Sequence, residues 1–151
     1  MAPVLCCLDD SDGARAALTV ARELAAKLGL ELVLVHVEPP TAAPGVSAAP
    51  AGAARLREEE LREGERMLER LGAEAGLVVM PRLRTVVGNA ASCIVSLCEE
   101  ERAAFVVLGS RGRGGLASAL LGSVSSAVAA RAPCPCVIVP PGAAAGEERS
   151  V

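Results

Sequence analysis

Five short apolar runs alternate with amphipathic helical patterns along this chain. The apolar runs are predicted to be strands and lie at 3–8, 31–37, 77–87, 103–108 and 136–139. The helical patterns between them cover 14–28, 55–71, 90–102 and 123–131. Strands that are joined through helices pair in parallel with right-handed crossovers. The pattern therefore predicts a doubly wound, five-stranded parallel sheet of order 3-2-1-4-5, with helices on both faces and ligands at the carboxyl ends of the strands.

The predicted α/β unit is one domain over residues 1–141. Within it, residues 39–54 are rich in proline, alanine and glycine and are predicted to be a flexible loop. Such a loop can be a tolerated insertion or a lid over the site, and both interpretations stay open. Residues 142–151 have little apolar surface to bury and are predicted to be a disordered tail.

Composition excludes several classes of function. The net charge is −3, and the chain has one Phe and no Tyr or Trp, so neither a basic footprint nor stacking platforms favour nucleic acid. No apolar run approaches the roughly 20 residues of a membrane span. The first residues have no basic segment and soon become acidic, which is not typical of a signal peptide. We therefore expect a cytoplasmic protein whose six cysteines are reduced.

The glycine-rich stretch 109–128 is expected to hold the functional site. It follows a predicted buried strand, and its glycines cluster at 109–115 and at 122. Glycine lets the backbone turn sharply and approach a ligand closely. The next residues, 122–125, are predicted to open a helix whose free N–H groups, dipole and hydroxyls attract an anion.

An acidic turn follows the first predicted strand. Asp10 or Ser11 is expected to cap the next helix, and Asp12 favours the positive end of its dipole. Asp9 would lie at the carboxyl end of the strand, where α/β sheets bind ligands. A carboxylate in that place can accept a hydrogen bond from a ribose hydroxyl.

Two other phosphate loops fit the glycine stretch poorly. The stretch has no Gly-Lys-Ser/Thr and is not a P-loop. Gly112-x-Gly114-x-x-Ala117 matches a dinucleotide fingerprint. However, the chain has no Asp or Glu between Arg102 and Gly146 that could hold a ribose. A dinucleotide oxidoreductase is therefore disfavoured.

The spacing Gly109-x2-Gly112-x9-Gly122-Ser123 resembles the ATP-binding signature of the universal stress protein family. LDDSDGARAAL at 8–18 and LVHV at 34–37 resemble the family's first two strands, and FVVLGSRGRGG and GSVSSAVAARAPCPCVIVP its fourth and fifth. The resemblance covers nearly the whole chain except the predicted loop and tail. It implies a single-domain, Rossmann-like fold of the adenine nucleotide alpha hydrolase-like kind that binds ATP, or AMP or ADP, with or without Mg²⁺.

The resemblance also implies a nucleotide site and an interface. The implied site residues are Cys7, Leu8, Asp9, Val37, Leu108, Gly109, Arg111, Gly112, Gly122, Ser123, Val124 and Ser125. By this resemblance, Asp9 contacts the ribose side of the nucleotide and Val37 lines the adenine pocket. Leu108 and Gly109 form the wall beside the base and the ribose. Arg111 and Gly112 lie over the phosphates, which the four residues from Gly122 cradle. A homodimer is implied through the last strand, at Val137, Ile138 and Val139.

Asp10 departs from the family pattern, because the usual residue after the first acid is glycine. Its charge could weaken phosphate binding, and Arg111 and Arg113 could offset it by pairing with phosphate oxygens. The glycine stretch has no lysine and no obvious general base, so no catalytic residue is assigned. We expect a stress-response regulatory module with at most weak ATP hydrolysis.

Two alternatives remain for the function. One is a dimerisation module of the same fold without a nucleotide. The other is a redox- or metal-responsive protein, because the chain has six cysteines, although no paired CxxC occurs and His36, the only histidine, is expected to be structural. The fourth strand is expected to separate Cys6 and Cys7 from Cys134 and Cys136, and the five-residue spacing of Cys93 and Cys98 puts them on different helix faces. Small buried thiols are the favoured interpretation, with an exposed Cys134 as a hypothetical redox target.

Overall fold

The computed structural model describes residues 1–40, 50–111 and 121–143 of the chain. The strands are β1 (Val4–Cys7), β2 (Leu32–Glu38), β3 (Arg82–Val87), β4 (Phe105–Gly109) and β5 (Cys136–Val139). The helices are α1 (Asp12–Leu28), α2 (Pro50–Glu74), α3 (Ala90–Glu100) and α4 (Ser123–Arg131).

The strands form one parallel sheet of order β3-β2-β1-β4-β5, which confirms the predicted topology. In the middle of the sheet Cys7 lies opposite Val35 on one side and Leu108 on the other. The chain crosses over in opposite directions on the two sides of β1, so the carboxyl ends of β1 and β4 border the switch point of the sheet.

A separate apolar core covers each face of the sheet. Successive side chains of a strand point to opposite faces, so Val4 and Cys6 belong to the core that includes α1 and the last turns of α2. Leu5 belongs to the other core, which includes residues of α3 and α4. All three side chains have no exposed surface. The central strands are therefore apolar on both faces, as parallel sheets require.

The predicted bounds are wrong at both ends of α2, which extends to Glu74, and at the start of β3, and otherwise agree to within two residues. Helix α2 begins at Pro50, so residues 50–54 of the predicted flexible loop are helical, while 41–49 lie outside the described residues. Strand β3 begins only at Arg82, because its pairing with β2 starts opposite Val33. The apolar residues before it have no neighbouring strand to pair with, and Val78 is 98% exposed.

Two smaller predictions also need correction or stay open. Leu28 was expected on the inner face of α1, but it is the last residue of the helix and is 51% exposed. Of the predicted disordered tail, residues 142 and 143 form part of a turn and residues 144–151 lie outside the described range. Within the described part of the chain, no helix is both long and apolar enough to cross a bilayer.

Four of the six cysteines border one core. Cys7, Cys134 and Cys136 all pack against the core beneath α3, to which Cys98 itself belongs. The predicted separation of Cys6 and Cys7 from Cys134 and Cys136 by the fourth strand is confirmed, because β4 lies between β1 and β5 in the sheet. Cys7 and Cys136 nevertheless border the same core, because both lie on the face of the sheet that α3 covers.

Candidate functional site

Two glycines allow α1 and the end of β4 to approach backbone to backbone. A Cβ atom added to Gly109 would lie 2.9 Å from the carbonyl oxygen of Gly13. A Cβ atom added to Gly13 would lie 2.8 Å from the carbonyl oxygen of Arg111. Real Cβ atoms essentially never come so close to backbone, so the start of α1 packs here only because both residues lack a side chain.

The carbonyl group of Ser110 connects the end of β4 to the start of α4. The Ser110 N–H donates to the carbonyl oxygen of Val139 at 2.9 Å, which holds this residue beside β5. Its own carbonyl oxygen accepts from the Gly122 N–H at 2.7 Å, and the Ser125 hydroxyl lies 3.1 Å from it. The first turn of α4 is therefore positioned next to the end of β4.

The start of α4 differs from the starts of α1 and α3. Ser11 caps α1 and Asn89 caps α3, each accepting from a backbone N–H three residues on, at 3.2 and 3.0 Å respectively. Gly122, the cap residue of α4, offers no side-chain hydrogen bond. Ser123 and Val124 are exposed. The first N–H groups of α4 and the positive end of its dipole therefore have no side-chain cap, and they can receive an anion.

Asp9 is held in place by its neighbour in the acidic turn. The Ser11 hydroxyl donates to the Asp9 carboxylate and also accepts from the Ala14 N–H as the cap of α1. Ser11, and not Asp10, is thus the capping residue. Asp9 is half-buried after β1, whose last paired group is the Leu8 N–H, 2.8 Å from the carbonyl oxygen of Val35. The carboxylate is oriented at the carboxyl end of the central strand.

Asp10 is balanced by two arginines from different helices. Its carboxylate pairs with Arg15 of α1 at 3.1 Å and with Arg70 of α2 at 3.0 Å. The hydrogen bonds from Arg70 and Arg15 keep the pKa of Asp10 below its usual value. The extra charge at the family's usual glycine position is therefore paired within the protein. Arg113, which was expected to offset it, lies outside the described residues.

The remaining predicted site residues divide between the two cores. Leu8 belongs to the core on the α1 side and Leu108 to the core on the α3 side, and each is 4% exposed. Cys7 and Val37 are half-buried against the α3 side. Ser125 is 2% exposed, with its hydroxyl turned towards the Ser110 carbonyl group. The structure thus brings these residues to the end of the sheet where the strands have their carboxyl ends. Gly112 lies outside the described residues.

His36 ties β2 to the end of β1. It is 8% exposed, and its Nδ1 lies 2.8 Å from the carbonyl oxygen of Leu8. Its Nε2 lies 2.7 Å from the Glu38 carboxylate. Both ring nitrogens are thus bonded within the protein, which agrees with the structural role expected for this residue. In the described part of the chain, no three His, Cys, Asp or Glu side chains are arranged to hold a metal ion.

Two residues beside this site are not predicted from the sequence. Gly13 contacts both Gly109 and the Arg111 backbone, and Ser110 holds α4. Gly13 carried a signal, because glycine is a poor helix former and here it is the second residue of α1. Ser110 gave none, because its backbone carbonyl group makes the contact and every residue has one.

The comparisons with known proteins agree with this architecture. The sequence model described as "Universal stress protein family" matches residues 1–140. The chain belongs to the universal stress protein family. A relative from Thermus aquaticus, described as a universal stress protein in the QAH/OAS sulfhydrylase 3′ region, is 34% identical over 139 residues. That match covers 90% of this chain and 96% of the relative, so the predicted family is confirmed.

Solved structures of this family share the fold. A universal stress protein in complex with cAMP superposes with a TM-score of 0.61 at 26% identity, covering 91% of this chain and 96% of that one. A universal stress protein from Archaeoglobus fulgidus in complex with dAMP superposes with a TM-score of 0.55 at 21% identity, covering 92% and 98%. The second likeness shows the fold alone.

Proposed function

We propose that this universal stress protein binds ATP, or ADP or AMP, between the carboxyl ends of β1 and β4. It acts as a homodimeric stress-response regulatory module in the cytoplasm. The observation that carries the proposal is the start of α4, which lacks a side-chain cap and is held beside the end of β4 by the hydrogen bond from Gly122 to Ser110. The relative in complex with cAMP supports the same class of ligand.

The residues present fit an adenine nucleotide. The backbone N–H groups at the start of α4 and the exposed Ser123 hydroxyl suit the phosphates, with Mg²⁺ as a companion ion. Asp9 suits a ribose hydroxyl, because its carboxylate is fixed at the end of β1 by Ser11. Val37 and the wall at Leu108 and Gly109 are assigned to the base and ribose side by the family resemblance. Arg111 and Gly112 are proposed to lie over the phosphates, as the family resemblance implies.

We expect ATP hydrolysis to be weak at most. Rapid phosphoryl transfer needs a nucleophilic water that is positioned in line and charge that is stabilised in the transition state. Asp9 follows β1 at the proposed site, and its carboxylate accepts a hydrogen bond from Ser11, the cap residue of α1. That arrangement suits a group that orients a ribose and not one that activates water, and no catalytic residue is assigned.

The homodimer is proposed through β5. This strand ends the sheet and pairs only with β4 in the described structure. An apolar sheet edge favours pairing with a second chain, and Val137, Ile138 and Val139 form such an edge. Ile138 is only half-buried, and a partner strand would cover it further.

The experiment that tests nucleotide binding begins with gently purified protein. After denaturation, mass spectrometry and absorbance would identify any adenine nucleotide that purifies with it. Calorimetric titration with ATP, ADP and AMP, with and without Mg²⁺, would follow for the wild type, Gly122→Val and Ser126→Ala. A Cβ atom at Gly122 would lie 3.1 Å from the Ser110 carbonyl oxygen, so valine must displace the start of α4. Ser126 is exposed one turn further along the same helix and is the matched control.

The expected result is micromolar ATP binding, about tenfold or more weaker in Gly122→Val and unchanged in Ser126→Ala. Circular dichroism would verify that both variants are folded. Binding that is equal in all three proteins would contradict the proposed position. If no adenine nucleotide purifies with the protein and ATP does not bind in the presence of Mg²⁺, the ATP proposal is refuted. That result would favour a dimerisation module without a nucleotide.

A further inference from the structure

A buried histidine connects β2 to the chain just before Asp9. The pairing of β1 with β2 ends at the Leu8 N–H, which lies 2.8 Å from the carbonyl oxygen of Val35. The carbonyl group of Leu8 is held by a side chain, because Nδ1 of His36 lies 2.8 Å from its oxygen. That carbonyl group belongs to the same peptide unit as the Asp9 N–H. Its orientation therefore sets the direction in which the Asp9 backbone leaves β1.

The hydrogen bond between His36 and Leu8 has a defined direction. A carbonyl oxygen can only accept, so Nδ1 of His36 carries the hydrogen and donates it. The other ring nitrogen, Nε2, lies 2.7 Å from the Glu38 carboxylate. The bond at one nitrogen of a histidine sets the orientation and the role of the other. Glu38 thus keeps the ring in the rotation that directs Nδ1 towards Leu8.

Packing also restrains the imidazole ring. His36 is 8% exposed, and its neighbour across the sheet is Thr85 of β3. The backbone of α2 lies directly over both residues. A Cβ atom added to Gly64 would lie 2.9 Å from Cδ2 of His36 and 2.6 Å from Cγ2 of Thr85. The ring therefore has little room to turn away from Leu8.

We propose that His36 is a positioning residue for recognition of the ribose. This inference rests on the proposed function, in which the Asp9 carboxylate accepts a hydrogen bond from a ribose hydroxyl. Two groups then fix Asp9. Ser11 holds its carboxylate, and His36 holds the peptide unit that precedes it. A binding group is selective when its neighbours keep it in the productive geometry, and His36 acts on the nucleotide only through Asp9.

The same end of β2 carries the residue that is assigned to the adenine pocket. Val37 lies between His36 and Glu38 and packs against the core on the opposite face of the sheet. Successive residues of a strand alternate between the faces, so His36 and Glu38 meet on one side while Val37 lies on the other. One short segment would therefore set the position of both the base wall and Asp9.

The test compares two ligands that differ only in the ribose hydroxyls. Calorimetric titration with ATP and with dideoxy-ATP, both with Mg²⁺, gives the ratio of the two affinities for each protein. His36→Asn and His36→Leu are the matched pair, because the two side chains have the same branched shape and only asparagine has a donor near the place of Nδ1. Thr85→Val is the control, since it removes a buried hydroxyl beside the ring that has no hydrogen-bond partner among the described residues.

We expect the wild type to bind ATP about tenfold more tightly than dideoxy-ATP, because a hydroxyl that donates to a carboxylate forms a charge-assisted hydrogen bond. Thr85→Val should keep this ratio, and His36→Asn should keep most of it. In His36→Leu the ratio should fall to about twofold. A purely structural loss would weaken both ligands equally and leave the ratio unchanged. If His36→Leu does not fold, His36→Gln replaces it, because its amide occupies the place of Nε2 and not that of Nδ1.

A second measurement needs no variant. His36 is the only histidine of the chain, so every imidazole nitrogen signal in the spectrum of isotope-labelled protein belongs to it. Long-range proton–nitrogen correlation spectra should show a hydrogen on Nδ1. A ring with a bare Nδ1 would overturn the inference, because it could not donate to the Leu8 carbonyl group.

Failure of this inference can be told apart from failure of the proposed function. If the wild type prefers ATP to dideoxy-ATP and His36→Leu keeps the full preference, only the positioning role is refuted. If the wild type binds both ligands equally, the ribose contact of Asp9 is refuted, and the role of His36 with it. If the wild type binds neither ligand, the proposed function itself is refuted.

Discussion

Gly13 is the residue on which the packing beside the candidate site depends most directly. We predict that Gly13→Ala destabilises the protein by about 1–3 kcal/mol, because its Cβ would lie 2.8 Å from the Arg111 carbonyl oxygen and the backbone must move. Urea unfolding measures this change. Gly52→Ala in α2 is the matched control, since no atom of the described residues lies within 4 Å of its added Cβ. At position 52 alanine, which is the better helix former, should stabilise the protein by about 0.5–1 kcal/mol. Equal effects of the two substitutions would contradict the close contact.

Ser11 combines a structural role with a role beside the candidate site. We predict that Ser11→Ala lowers stability by about 1 kcal/mol through loss of the α1 cap. It should also weaken ATP binding, because Asp9 loses the hydroxyl that orients it. Asn89→Ala removes the equivalent cap of α3 and should cost a similar free energy without changing affinity. Unfolding curves and calorimetry on both variants test this, and equal losses of affinity would disprove the link between Ser11 and the site.

At the scale of elements, charged arginine and glutamate side chains lie along the edge strand β3. Arg82 binds Glu31 at 3.1 Å and Glu101 at 2.8 Å. Arg84 pairs with Glu101 and, at 3.3 Å, with Glu100. Arginine and glutamate along an outer strand discourage pairing with another chain. The network therefore leaves β5 as the edge that is suited to a partner.

The pH dependence of stability should report on this network. The hydrogen bond from Arg82 is the main cause that lowers the pKa of Glu101 below its ordinary value of 4.5. A lowered folded pKa means that the unfolded state binds the proton more readily. The contribution of Glu101 is therefore fully present above that ordinary value and is lost as the pH falls below it.

We predict that Glu101→Gln lowers stability by about 1–2 kcal/mol at pH 7 and flattens the loss of stability between about pH 5 and pH 3. The Glu101 side chain is 10% exposed but that of Arg82 is 43% exposed, so solvent screens part of the interaction and the expected loss stays small. Urea unfolding at a series of pH values provides the measurement. Glu63→Gln on the exposed face of α2 is the control and should keep the wild-type slope. If stability falls with pH as steeply in Glu101→Gln as in the wild type, the Arg82–Glu101 pair is not the source of that pH dependence.

At the scale of the whole molecule, the two edges of the sheet should behave differently. We predict that Ile138→Lys converts a dimer into a monomer, because a charged side chain would be buried between paired β5 strands. Light scattering coupled to gel filtration measures the mass. Val78→Lys makes the same chemical change before β3, where the side chain is 98% exposed, and should leave the dimer intact. A monomeric wild type, or a dimeric Ile138→Lys, would refute the proposed interface.

The sequence alone determined the order of the elements and the place of the candidate site. Apolar periodicity and turn residues act over a few neighbours, so α4 and β5 have the predicted bounds, and the parallel topology follows from their alternation. The glycine stretch also marked the end of β4 as the region of interest. These features could be predicted because each depends on local backbone preferences and on which side chains must be buried.

Only the tertiary structure decided which distant groups meet. Asp10 pairs with Arg70, sixty positions away along the chain. Gly13 meets the backbone of Arg111. The start of β3 also depends on where β2 offers a partner. Contacts such as these follow from how helices settle on the sheet, and spacing along the chain carries no record of that packing.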